Sequence, residues 1–258
     1  MHPLKGTPTI ERKRERERLG LLPRVHQGER RDFPKSNPPS PTYDNDYRHQ
    51  RLDSNAHEIR LLSLKCVENY EEITGFLTNV PFEAAPPYVA LSYTWGTPND
   101  RQPIYLADQK FYVNYNFFQA LRQLSSGAGR KYWIDAICIT KRDPSERNHQ
   151  VSMMRHIYGR ATPVKIWLGI GDNLSAQAFT LARDIAKAVQ VHKEEELFND
   201  SSRVDQFAAF QVLLHKEYWK RIWVIQEVNA AREAEIICGA DTITWADLLM
   251  AQNTIAIN

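Results

Sequence analysis

The chain has 258 residues, with 33 Lys+Arg against 31 Asp+Glu, 42% hydrophobic residues and 10% aromatic ones. Those proportions describe one or two globular domains rather than a fibrous or low-complexity polypeptide. Charge is unevenly spread, about +4 over residues 1–57 and about −2 over the rest, which excludes a broadly basic nucleic-acid-binding core.

Residues 1–57 also hold 7 of the 14 prolines, whereas all six tryptophans lie from Trp95 onward. The run Glu11 to Arg18 mixes charge signs without an apolar face, and Pro34 to Pro41 cannot sustain helix or sheet. Residues 1–57 therefore read as a disordered N-terminal tail and 58–258 as the folded domain. No apolar run follows the charges near Met1, and no stretch of about 18 apolar residues occurs, so neither secretion nor membrane spanning is expected. The expected compartment is the cytoplasm, with no nucleic-acid or membrane partner. Cys66, Cys138 and Cys238 are odd in number and far apart, as for free thiols in a reducing compartment. No zinc-type Cys/His spacing appears, and no metal is expected.

From Glu58 short apolar runs alternate with helical periodicity, the pattern of an α/β domain with an open, mostly parallel sheet flanked by helices. Ile59 to Leu64 predicts a first strand, and Val89 to Tyr93 a buried one that runs into turn formers from Thr94 to Asp100. Ile104 to Leu106 and Phe111 to Val113 predict a small hairpin insertion, followed by a helix from about Asn116 to Leu124. Tyr132 to Ile139 is apolar apart from Asp135 and reads as a strand. Asp143-Pro144-Ser145-Glu146 then combines an N-cap, a first-turn proline and a glutamate at N3, so a helix begins there. A strand at Val164 to Leu168 follows, then helices from about Ser175 to Val191 and Val204 to His215. Glu235 to Cys238 and Thr242 to Thr244 predict strands around a turn at Gly239, and a last helix starts at Trp245.

Several residues could carry chemistry. Gly169-Ile170-Gly171 after a strand is similar to a dinucleotide-binding turn but lacks the third glycine. Cys138, with His149 and His156 downstream, allows a thiol nucleophile, but a cysteine in an apolar strand is more often an inert core residue. Asp135 must emerge at the C-terminal rim of the sheet or find a partner, because an isolated buried charge is costly. Rim binding and a purely local backbone role remain equally open for it. Glu227 lies among Trp223, Val224, Ile225 and Val228, surroundings that raise a carboxylate's pKa or prepare it to meet a cation. Arg221 nearby offers a plain salt bridge as the alternative.

Three blocks resemble the fungal heterokaryon incompatibility (HET) domain family. Tyr88-Val89-Ala90-Leu91-Ser92-Tyr93-Thr94-Trp95-Gly96 resembles its opening motif. Trp133 to Ile139 with Glu146, Arg147, Gln150, Val151, Met154, Ile157, Tyr158 and Ala161, closed by Trp167-Leu168-Gly169, resembles the central block. Trp219, Arg221, Trp223, Val224, Gln226-Glu227-Val228 and Ala230 resemble the third. The resemblance covers about residues 58 to 245; Thr140-Lys141 departs from the family's usual Asn-Gln.

The resemblance implies a role in nonself recognition and programmed cell death in filamentous fungi, an innate-immunity-like function. A more distant similarity to TIR domains implies a flavodoxin-like fold and carries one role onto Glu227, that of stabilising the ribosyl cation as NAD is hydrolysed. It makes Tyr93, Trp95, Gly96, Asp135 and Trp223 candidate substrate-binding residues, with NAD as a substrate and no cofactor. The alternative it implies is a non-catalytic TIR-like adaptor that signals by self-association. A separate sensor protein is the other expected partner.

Overall fold

The computed structural model describes residues 47–65, 72–94, 100–127, 129–221 and 224–257. Within them, β1 (Glu58–Lys65) pairs antiparallel with β2 (Thr74–Pro81), and β3 (Val89–Tyr93) is buried at all five positions. Continuous burial is what a parallel strand covered on both faces requires, and it explains the unbroken apolar run. β4 (Arg101–Leu106) and β5 (Gln109–Asn114) form the expected hairpin, turning through Ala107 and Asp108 at φ 47° and 64°. Two successive positive φ values are the type I′ pattern that matches strand twist. The Asn114 side chain then caps α1 (Tyr115–Ser125) by accepting the Phe117 N–H.

β6 (Lys131–Trp133) is short, and α2 (Asp135–Cys138) follows at once. The run from Asp135 to Cys138, expected to continue the strand, is thus a single helical turn closed by Cys138 N–H to the Ile134 carbonyl at 2.7 Å, with Ile139 extended after it. An apolar run without periodicity does not distinguish a buried strand from a buried helical turn. α3 (Pro144–Arg160) begins at the expected cap, with the Asp143 carboxylate accepting the Ser145 and Glu146 N–H groups at 2.9 and 3.1 Å. The chain continues through β7 (Val164–Trp167), α4 (Asn173–Gln190), α5 (Glu194–Phe198) and α6 (Val204–Leu214). It ends with α7 (Val224–Ala230), β8 (Ala234–Cys238), β9 (Asp241–Thr244) and α8 (Trp245–Ile257).

The strands form one mixed sheet in the order β5-β4-β2-β1-β6-β3-β7-β8-β9. Parallel pairing runs unbroken through the middle, β6-β3-β7-β8, and antiparallel pairs border it at β1 and β9. The α/β class with a central sheet flanked by helices is therefore as the sequence reads. β2 escaped the sequence reading because its exposure alternates irregularly and Thr, Gly, Asn and Pro interrupt it.

Two apolar layers hold the domain together. One gathers β1, β3, Phe117 and Leu121 of α1, and Met154, Ile157 and Tyr158 of α3. The other gathers α4, Phe210 of α6 and Leu248 of α8. β8 divides between them, Ile237 joining the first and Ile236 and Cys238 the second, as period-2 side-chain alternation requires. Burying a side chain such as Leu62, Ile157 or Phe210 contributes roughly 1.5–3 kcal/mol.

Residues 47–57 lie on the tail side of the boundary drawn from composition, yet they pack against the domain. The Tyr47 N–H donates to the Lys110 carbonyl at 3.3 Å, His49 Nε2 meets the Ile137 carbonyl at 2.7 Å, and Leu52 is buried. Backbone docking of this kind leaves no mark on composition. Residues 1–46 of the proposed tail, and Cys66, lie outside the described residues.

Candidate functional site at the C-terminal end of β3

The polar residue in the otherwise apolar β3 organises the site. Ser92 Oγ donates to Glu227 Oε2 and lies 2.6 Å from the Tyr218 hydroxyl. Tyr158 Oη donates to the Leu91 carbonyl at 3.2 Å, and Arg221 Nη1 donates to the Tyr93 carbonyl. The second guanidinium nitrogen of Arg221 stands 3.5 Å from Glu227 Oε1. Three parts of the chain therefore converge where β3 ends: the strand itself, α3 through Tyr158, and the trio of Tyr218, Arg221 and Glu227, the last in α7.

The position of Glu227 follows from α7. Val224 and Val228, one turn apart, are buried in the second apolar layer, and the helix packs on α3 and β3. That face carries Glu227 inward, leaving it 2% exposed in the first turn of its helix. A carboxylate there also profits from the partial positive charge of the helix N-terminus.

Burial dominates the electrostatics. It pushes the Glu227 carboxyl above its ordinary value, against the opposing pull of Arg221 and the Ser92 hydroxyl. Asp135 is raised for the same reason, with Arg221 and then Lys141 opposing. Lys141 is lowered to about 8 by burial, with Asp135 holding it up. The phenol of Tyr158 is driven well up by burial and by the neighbouring Glu227 and Asp135 carboxyls. Arg221 pays a desolvation cost and still titrates higher than usual, because Glu227, Tyr218 and Asp135 surround it with negative charge. The result is an alternation of two carboxyls and two cations in low dielectric, where each charge acts strongly on its neighbour.

The candidates read from sequence fare differently. Glu227 and Asp135 share this field, Asp135 from α2, where its Oδ1 accepts the Ala136 N–H at 2.7 Å. The Tyr93 ring is buried and stacked on Phe117 at 4.4 Å and 18°, so the group it offers the site is its backbone carbonyl. Trp95, Gly96 and Trp223 lie outside the described residues. Ser92, Tyr158, Tyr218 and Lys141 were not singled out as site residues. For Ser92 the signal was available, a hydroxyl inside a run buried on both faces that has to find a partner.

Two minor alternatives of the sequence are removed. The Cys138 thiol is fully buried, bonds to backbone at Ile134, Tyr132 and Leu62, and is pushed up to about 12 by burial. That removes it as a nucleophile, since the thiolate is the reactive form. The Gly169-Ile170-Gly171 turn packs on β8 rather than opening to a phosphate. The Gly239 N–H donates to the Gly169 carbonyl at 2.9 Å, and a Cβ on Gly239, at φ +58°, would come within 2.6 Å of the Gly171 nitrogen. The N-terminus of α4 beyond it is closed by Asp172, whose carboxylate accepts the Ser175 N–H at 2.7 Å. Among the described residues no three His, Cys, Asp or Glu side chains gather as a metal site, and no helix is long and apolar enough to cross a membrane.

Comparison with known proteins bears on the same region. The family model described as "Heterokaryon incompatibility protein (HET)" matches residues 88–227, from Tyr88 before β3 to Glu227 itself. Heterokaryon incompatibility protein 6, OR allele, of Neurospora crassa is 24% identical over 235 aligned residues, covering 74% of this chain. The chain spans about a third of that curated relative, 34% of its length. No solved structure matches. With its model matched over more than half the chain, the family is settled: the chain belongs to the heterokaryon incompatibility (HET) family.

Proposed function

We propose that this HET-family chain serves fungal nonself recognition and the cell death that follows it, and that its domain acts by hydrolysing the nicotinamide–ribose bond of NAD at Glu227. The observation that carries the chemistry is the buried Glu227 carboxyl at the C-terminal end of β3. The parallel strands run β6-β3-β7-β8, which in chain order is 2-1-3-4. This is the order of flavodoxin-like sheets, whose ligands bind outside the strand ends where the order reverses. That correspondence supports the TIR-like reading.

Nicotinamide in NAD is a cationic leaving group and departs without a general acid, so the reaction needs only one carboxylate, unlike ordinary glycoside hydrolysis. As the bond breaks, its electron pair leaves with nicotinamide and positive charge grows on the ribose. A fixed carboxylate in a dry site opposes that charge where it develops. Water then adds to the ribose carbon, giving ADP-ribose and a proton. Arg221 and Ser92 favour the ionised form of Glu227 against its burial and orient it, and substrate entry requires Arg221 to leave the carboxylate.

That requirement favours a second reading as well. With Glu227 nearly inaccessible and already paired, the same cluster suits an adaptor that signals by self-association without turnover. Concentrated protein incubated with NAD separates the two. Release of nicotinamide by the wild type, reduced at least a hundredfold in Glu227→Ala, is the expected result. Absence of release from an assembled wild-type protein, or release indifferent to the substitution, leaves the adaptor reading.

A further inference from the structure

We propose that His57 and His149 form a binding site for a divalent transition-metal ion of the zinc, nickel or copper class, at the junction of the N-terminal segment and α3. The two residues are 92 positions apart in sequence, yet His57 Nδ1 lies 3.4 Å from His149 Nε2. Tetrahedral ligation with metal–nitrogen bonds of about 2.0–2.1 Å sets two nitrogen ligands roughly 3.3–3.4 Å apart. The spacing already present is therefore that of two ligands on one ion. The ring planes differ by 10° with centroids 5.3 Å apart, and rotation of two accessible side chains suffices to converge the lone pairs.

Both rings are positioned by their backbones. His57 sits at φ 47°, in the left-handed region that side-chain-bearing residues seldom occupy. It is held there by its N–H bond to the Ser54 carbonyl and by the Phe82 N–H on its own carbonyl, each 3.2 Å. A conformation of this kind persists where the surroundings impose it, and such positions cluster at functional sites. On the other side, Gln150 Nε2 donates to the Glu58 carbonyl at 2.8 Å, fastening α3 to the residue that follows His57.

In the metal-free pair one ring donates its N–H to the other. Metal takes that place once the bridging hydrogen has moved, through solvent, to the second nitrogen of the same ring, so two neutral imidazoles ligate without net loss of a proton. No third acidic, cysteine or histidine side chain joins them among the described residues, and water completes the coordination. Two protein ligands and an open position describe an exchangeable ion, one that pins residues 53–57 to α3 when bound.

Isothermal titration of the full chain with zinc chloride at neutral pH tests this, using the wild type, His57→Ala, His149→Ala and the double variant. The wild type is expected to take up one equivalent whose affinity falls at least tenfold in either single variant, with no additional loss in the double. Zinc should raise the melting temperature of the wild type alone, reversibly with EDTA. The proposal is overturned if that equivalent is absent, if it survives either substitution, or if the two losses add as those of independent surface histidines.

Discussion

Among the described residues two arginine–glutamate pairs have a buried glutamate, and they are built differently. Arg60 of β1 and Glu146 of α3 meet fork to fork at 2.6 and 2.8 Å, with side chains only 1% and 8% exposed. Arg60 also donates to the carbonyls of Cys138, at 2.9 Å, and Gln50, while Glu146 accepts the Thr140 N–H at 3.0 Å. Arg221 and Glu227 touch at a single 3.5 Å contact, and burial still raises the glutamate. The hydrogen bonds of the first pair fix β1, the β6–α3 connection and residues 47–57 together. The second leaves its glutamate less neutralised, which is what the proposed exchange of Arg221 for a ligand needs. Bidentate geometry with backbone partners marks a structural pair; a loose pair with a raised carboxyl marks a candidate for chemistry.

Substitutions can break this contrast. The largest effect is expected from Arg60→Met or Glu146→Gln, each leaving a buried charge without its partner and costing about 3–5 kcal/mol in chemical denaturation. Glu227→Gln should cost less, about 1–2 kcal/mol, because the amide can still meet Ser92 and the carboxylate's own desolvation is relieved. Equal losses from the two glutamates would erase the distinction. Asp143→Ala, which uncaps the helix carrying Glu146, should cost about 1 kcal/mol and leave nicotinamide release intact.

The pH dependence sharpens it further. Glu227 titrates above its ordinary 4.5 when folded, so the folded protein retains a proton that the unfolded chain has released. Stability should therefore fall as pH rises from about 4.5 through the folded value and then level off, and Glu227→Gln should remove that portion of the fall. Lys141 has the opposite sign. Lowered from 10.5 to about 8, it is deprotonated in the folded state before the unfolded one, so stability should rise between those pH values and Lys141→Met should flatten the rise. Urea midpoints measured across pH for the three proteins check both.

Much of the fold was legible locally. The cap at Asp143, the five-residue buried strand at Val89 to Tyr93, the β4–β5 hairpin and the helix starting at Trp245 each have a signal within a few residues. β2 and the helical turn at Asp135 did not, since irregular polarity hides the one and an apolar run gives the other no period to read. Glu227 was legible as an acid in apolar surroundings. Of its partners, Arg221 was legible six residues away, but Ser92 was not, because it comes from 135 residues away and meets Glu227 only once the sheet order brings β3 against α7.

The sequence by itself determined the α/β class, the family blocks and the identity of the buried acid, because hydrophobic period and residue type are local properties. Tertiary structure alone decided which groups share a low-dielectric space. That decision made Cys138 inert, turned the Gly169–Gly171 turn into a packing contact and brought His57 beside His149, since burial and the approach of distant segments are properties of the folded chain.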